Sequence, residues 1–283
     1  MINKHSIYYH AFQQIMKNKL ALFSLIIILI YVLLAILVSL GVVAKNVNEK
    51  VAEPFLRPSL EHPLGTDALG RDIFNQVLYG AKVAIMVGII TSIIAIPIGV
   101  VLGSIAGYFG GWIDDIIVWF YSTLASIPGL LLILALTLVV GRGLTGVYIS
   151  IGLATWVSLC RIIRAETIKI KNLEFVQAAK ALGVPDIVII FRHILPNVMH
   201  LVLIYFALQF VYAIKSEVIL SYIGVGAQSQ PSWGLIIQDA QNYLFVGYWY
   251  GFAGATIAMF ILILALNIFS DALRDALDPK FKN

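Results

Sequence analysis

Charge is scarce in this chain. Of 283 residues, 12% are Asp, Glu, Lys or Arg, against about 25% in an ordinary soluble domain. A solvated surface around most of the polypeptide is thereby excluded. The single cysteine, Cys160, rules out a disulfide framework and a CxxC metal site. With no base beside it in sequence, it reads as a small packing residue. No GxxxxGK[ST] stretch occurs, so the chain has no phosphate cradle and does not hydrolyse ATP itself. His, Asp and Cys do not cluster inside the apolar runs, which argues against a membrane enzyme. There is no internal repeat or low-complexity tract, and so no inverted-repeat signature of the kind many secondary transporters carry.

Apolar sequence is what the chain does have: 60% of its residues are hydrophobic and its mean hydropathy is +0.94. Several runs near or above the roughly 18-residue threshold for a membrane span follow one another. Inside hydrocarbon every backbone N–H and C=O needs a partner within the protein, so these runs are expected to be helices. The fold class is therefore an all-α, multi-pass membrane protein. Spans are predicted at about 20–43, 82–107, 116–140, 144–163, 198–223 and 248–271. The run from Leu20 to Val43 exceeds a signal-peptide core of about 7–15 residues and reads as an uncleaved first span.

Orientation follows from Lys and Arg. With the N-terminus inside, twelve lie in cytoplasmic segments and six in outer ones. Residues 1–283 then form one transmembrane domain in the cytoplasmic membrane. Its cytoplasmic parts are an N-terminal segment (1–19), a loop (164–197) and a tail (272–283). Gly99, Gly103 and Gly107 stand at four-residue steps, a stripe on which another helix can pack closely. Pro97 and Pro128 are expected to kink the second and third spans. The run Tyr248-Trp249-Tyr250 has the character of an interfacial belt.

Between the fourth and fifth predicted spans lies EFVQAAKALGVPDIVIIFRHILPN, residues 174–197. Asn172 is expected to cap a short helix through Leu182, with Glu174 in its first turn and Gly183 as its stop. Pro185 suits the first position of a second helix, expected to end near Ile194 because Pro196 follows. Phe175, Ala178, Ala179 and Leu182 share one face of the first helix; Ile187, Ile190, Phe191 and Ile194 share one of the second. Periodicity alone fits two helices lying on lipid equally well. The Ala178-Ala179 pair favours a seat in another protein's cleft.

Lys215 and Glu217 fall within the fifth predicted span, where a charge at mid-depth costs about 2.5–3.5 kcal/mol. They point to nearly opposite faces. Glu217 faces either the translocation cavity or a partner subunit, or else is an interfacial group near the outer end. Lys215 snorkels or bonds a neighbouring helix. His62, Asp67 and Asp72 match no metal-ligand spacing, and the two Asp side chains are expected to cap turns beside Gly65 and Gly70.

The order Ala178-Ala179, Gly183, Leu195-Pro196 resembles the "EAA" loop of permease subunits in binding-protein-dependent ABC importers. Gln177 stands where that pattern has Glu, and His193 where it has Ile. The ending FRHILPN resembles the oligopeptide/dipeptide/nickel branch and its C-type permease. So do LGTDALGRD (64–72), YGAKVAIMVG (79–88), GYFGGWIDD (107–115), LSYIGVGAQSQPSWG (220–234) and SDALRDALDPK (270–280), in the same order. Where the branch commonly has Arg and Asp three residues apart in the third span, this chain has Trp119 and Ser122. The loop at GAQSQPSWG is also one residue shorter.

The resemblance implies a type I ABC importer permease fold and a coupling helix that sits in a groove on a separate ATP-binding subunit. The implied contact residues are Glu174, Gln177, Ala178, Ala179, Lys180, Gly183 and Arg192. Implied partners are a second homologous permease, two ABC ATPase subunits, an extracytoplasmic solute-binding protein and membrane lipid, with no nucleic acid. No cofactor is expected on this chain, since ATP and Mg are used by the partner subunits, and no catalytic residue is expected. The implied cargo is a di- or oligopeptide, with nickel chelates or other small solutes as the alternative. A stand-alone channel or secondary transporter, the second alternative, would work without ATPases.

Overall fold

The computed structural model describes residues 13–277. All its regular elements there are helical, and five helices are long and apolar enough to cross a membrane. They are α1 (Lys19–Ser39), α2 (Ile73–Phe109), α5 (Leu144–Ile170), α8 (Leu195–Tyr222, reached without a break from Asp186) and α10 (Tyr250–Leu277). A sixth span is made if α3 (Gly111–Ala125) and α4 (Gly129–Val140) count together. Two short helices, α6 (Glu174–Ala181) and α7 (Asp186–Ile189), precede α8, and α9 (Trp233–Gln241) follows it.

Local chemistry sets several boundaries. Asn18 Oδ1 accepts from the Leu20 and Ala21 N–H groups and starts α1. Asp72 Oδ1 accepts from Asn75 N–H, so α2 begins at residue 73 rather than near 82. That cap, together with the burial of Ile73 and Val77, extends the helix beyond its membrane-crossing part. α2 continues through Pro97. Pro128 does more than kink the third span. Extended backbone at Pro128 turns α4 by 93° from α3, because the ring removes one donor and pushes the preceding residue away from helical geometry.

The main core lies where α2, α4, α5, α8 and α10 meet, around Val87, Ile133, Ile151, Ile214 and Leu262, all fully buried. Phe23, Leu33, Ile93, Val139 and Phe260 point outward, as expected of a bundle surrounded by lipid rather than water.

The glycine stripe sets the closest approach. A β-carbon on Gly99 would lie 2.9 Å from the Trp156 carbonyl oxygen, one on Gly103 2.6 Å from that of Cys160, and one on Gly107 2.6 Å from that of Arg164. Glycines at four-residue steps on α2 therefore face carbonyls at four-residue steps on α5. Cys160, fully buried, is a packing residue in this seam. Gly103→Ala is expected to lower the thermal midpoint of the detergent-solubilised protein, at a cost of about 1–3 kcal/mol. Gly103→Leu is expected to prevent recovery of folded protein by size-exclusion chromatography.

Candidate functional site

The segment between α5 and α8 is shorter than 164–197 suggests. α5 runs on to Ile170 and the next helical run starts at Asp186, so residues 171–185 make the connection and α6 is its only separate helix. Asn172 does not cap it: the Asn172 side-chain amide donates back to the Ile168 carbonyl, and Leu173 occupies the cap position. α6 stops as expected. Gly183 has φ +75, its N–H donates to Lys180 O, and Val184 N–H donates to Ala179 O. This pair of bonds is a Schellman closure.

Pro196 does not end the second helix. The chain passes through one π-helical turn, Ile190–Ile194, in which Leu195 N–H donates to Ile190 O. The wider turn lets Pro196 enter at the start of α8, so α7, the π turn and α8 form one continuous helical run.

Burial divides the predicted faces. Val176 and Ala179 turn inward with Ile189, Ile190 and Ile194, against Ile163 and Ile170 of α5. Ala179 is thus a seat on this chain's own bundle and not a free contact. Glu174, Gln177, Ala178, Lys180, Gly183 and Arg192 are exposed. Beside them stand exposed Phe175, Leu182 (84% exposed), Ile187 and Phe191 (60% each). Phe191 and Arg192 line a shallow groove with Ile187, Val188 and Pro196. Gln177 Nε2 donates to Lys171 O at 2.7 Å. A Glu carboxylate at this position would be unable to donate that bond.

The segment is tied to the bundle by residues that periodicity did not single out. Tyr108, at the end of α2, donates its hydroxyl to Asp186 Oδ1 at 2.5 Å, and its carbonyl accepts from Lys171 Nζ at 3.3 Å. One residue thus holds both ends of the connection. Arg164 on α5 forms a two-pronged pair with Asp114 on α3, the strong geometry for a guanidinium and a carboxylate. The detectable signal was opposite charge at the same membrane side of two spans.

Glu217 lies inside this chain, 1% exposed, and so faces neither an open cavity nor a partner subunit. Its carboxylate accepts from Ser221 Oγ at 2.6 Å, and that oxygen accepts from Ala227 N–H. Lys215 is exposed on α8 with Tyr212 and Ile219, with no ion pair among the described residues. Trp119 and Ser122 are likewise exposed on α3, so this neutral pair lies on the surface of this chain and not in its interior. Asp67 caps a turn as expected, whereas Asp72 caps α2. Asp67 Oδ1 accepts from Leu69 and Arg71 N–H groups, and Asp72 also meets His62 Nδ1 at 2.7 Å.

An all-helical membrane domain with a short helix anchored between two long spans is the class that this geometry defines. The chain belongs to the family of binding-protein-dependent transport system inner membrane components, whose model matches residues 99–283. The N-terminal TM domain of oligopeptide transport permease C matches residues 6–48. The chain is 36% identical over 275 residues to the dipeptide transport system permease protein DppC of Alkalihalophilus pseudofirmus, covering 96% of this chain and 90% of that one. Identity to DppC of Bacillus subtilis is 34%, over 96% and 85%. Identity to the glutathione transport system permease protein GsiD of Escherichia coli O157:H7 is 37%, over 80% and 74%. The fold is similar to a chain of the inward-facing MetNI methionine ABC transporter, with a TM-score of 0.55 and 15% identity over 73% of this chain and 96% of that one. This is the importer permease fold implied by the sequence motifs.

Tyr108→Phe removes the bond to Asp186 while keeping the ring. Hydrogen–deuterium exchange over residues 171–186 is expected to become several-fold faster, with α5 and α8 unchanged.

Proposed function

We propose that this chain is one of two permease subunits of an ATP-driven ABC importer, forms half of its translocation pore, and is coupled to separate ATPase subunits through α6. The observation that carries this reading is the state of α6. Its inner face is packed, the connection that carries it is tied to α2 at Lys171 and Asp186, and its outer side presents exposed Phe175, Ala178 and Leu182 between charged side chains. A helix lying on lipid has no need of such tethers. A lever does, because a pull on α6 must reach α5 and α8 without being absorbed in a loose loop.

Glu174, Gln177, Ala178, Lys180, Gly183 and Arg192 form the face that meets an ATPase, and Ala179 supports it from within. Both chain termini then lie in the cytoplasm with α6, and the 45–72 segment and α9 lie outside. Two ATPase subunits bind ATP and Mg, a second homologous permease completes the pore, and an extracytoplasmic binding protein delivers the solute. Lys215, an uncompensated charge on an outward stripe of α8, faces the path shared with the second permease. Its positive charge suits a solute bearing a carboxylate. The cargo is a di- or oligopeptide, supported by relatives named for dipeptide and glutathione transport. No covalent step takes place on this chain.

Gly183 offers a direct test. Open space surrounds the position of its missing β-carbon, and any L-residue at φ +75 carries about 1–2 kcal/mol of strain. Gly183→Ala introduces the strain with little bulk, and Gly183→Leu adds the bulk. In proteoliposomes holding the whole importer, Gly183→Leu is expected to reduce solute-stimulated ATPase and uptake more than tenfold, and Gly183→Ala less than threefold. Full ATP-dependent uptake with Gly183→Leu would remove α6 from the contact. Uptake by this chain alone would remove the importer reading.

A further inference from the structure

At the opposite end of α2 from α6, the 45–72 segment and α9 enclose a cavity of about 220 Å³. No step proposed above uses it. One wall is aromatic. Phe55 holds φ +60, a backbone region that bulky L-residues avoid. This conformation brings its ring 4.9 Å from Tyr243 and 4.7 Å from Tyr248, centre to centre.

The other wall carries charge. Asp67 is fully engaged: Oδ2 accepts from Arg71 Nε at 2.6 Å and from Gln76 Nε2 at 2.9 Å. Asp239 is not. Its side chain is half exposed, and its carboxylate meets only the far edge of the Arg71 guanidinium, at 3.6 Å. Two carboxylates against one guanidinium leave the cavity one negative charge in excess. Burial holds the Asp239 carboxyl above its ordinary range, with Arg71 pulling it down and Asp67 pushing it up. A cation placed beside Asp239 would offset that burial cost.

Ring faces beside an under-neutralised carboxylate suit a cation. A guanidinium suits them better than an ammonium, being more weakly hydrated and able to stack. The volume lies below the roughly 300–1,000 Å³ of pockets that enclose whole small molecules, and it has room for one long side chain. In the orientation proposed above, the cavity opens outside the membrane. We infer that it is a socket for a single arginine side chain of the extracytoplasmic solute-binding protein, seated against the aromatic wall of Phe55, Tyr243 and Tyr248 and neutralised by Asp239. The inference rests on the importer reading and names the anchor by which that partner engages this subunit.

The test uses the assembled importer in nanodiscs of phosphatidylglycerol, with its own binding protein titrated onto it. Asp239→Asn is expected to weaken binding about tenfold, Tyr248→Leu to weaken it severalfold, and Asp239→Glu to retain it. Asp239→Lys is expected to weaken it further, and one Arg→Glu change on the binding protein to restore it. Unchanged affinity with Asp239→Asn, or an Asp239→Lys defect that no such change restores, overturns the socket. A loss seen only in nanodiscs containing phosphatidylethanolamine assigns the cavity to a lipid amine and overturns it too. ATP-driven uptake by the unaltered complex is read in parallel. Uptake with unaffected binding removes the socket alone, and absence of uptake removes the importer reading and the socket together.

Discussion

Carbonyl oxygens of α5 stand where β-carbons of α2 would be, at Gly99, Gly103 and Gly107, and the rest of the structure is arranged around that close approach. In a bilayer two helices gain little from hiding apolar surface, because lipid is as apolar as leucine. Close packing and backbone contact must hold them instead. α5 leads directly into the 171–185 connection, and α2 ends at Tyr108, which holds both ends of that connection. The seam that fixes the bundle therefore also fixes the base on which α6 sits.

Several polar groups inside the bundle are matched across helices, although the hydroxyls of Ser92, Ser104, Ser150 and Thr167 are buried without a partner among the described residues. Glu217 is bonded by Ser221, which in turn takes the Ala227 N–H, so one buried carboxylate secures the turn that leaves α8. Tyr205 donates to Thr155 O, and Gln209 donates to the Thr155 hydroxyl, joining α8 to α5 away from water. Trp233 donates to Val77 O and ties α9 to α2. These cross-links connect the two ends of the molecule through α2, α5 and α8. A displacement at α6 thus has a continuous packed route toward α9.

Against this, the two ends differ in what they leave open. Around α6 the exposed groups are apolar residues interleaved with Glu174, Lys180 and Arg192, a surface suited to a large, shape-matched protein contact. Around α9 the open feature is a small aromatic and acidic cavity, suited to one side chain. On the proposed reading, the broad face would meet an ATPase and the narrow cavity a binding protein.

Much of this was legible in the residues. The apolar runs announced the spans, the glycine steps announced a close helix contact, and Gly183 announced the end of α6 because only glycine enters φ +75 without strain. Other features were set by contacts distant in sequence. Asn172 is a good cap in isolation, but its amide is taken by Ile168. Pro196 is a helix breaker by local rules, yet the π turn before it and the buried Ile190 and Ile194 carry the helix through. Glu217 and Lys215 are two residues apart and equally costly by local rules. The packing of α8 encloses one among hydroxyls and leaves the other facing outward. Composition and periodicity determined by themselves that this chain lives in a membrane as helices with a stopped, small-residue helix between two spans, since those depend on burial cost and local backbone geometry. Which face of that helix is free, where Glu217 is buried and how Phe55 and Asp239 come to line one cavity were decided only by tertiary structure, because each depends on neighbours that the chain brings together from far along its length.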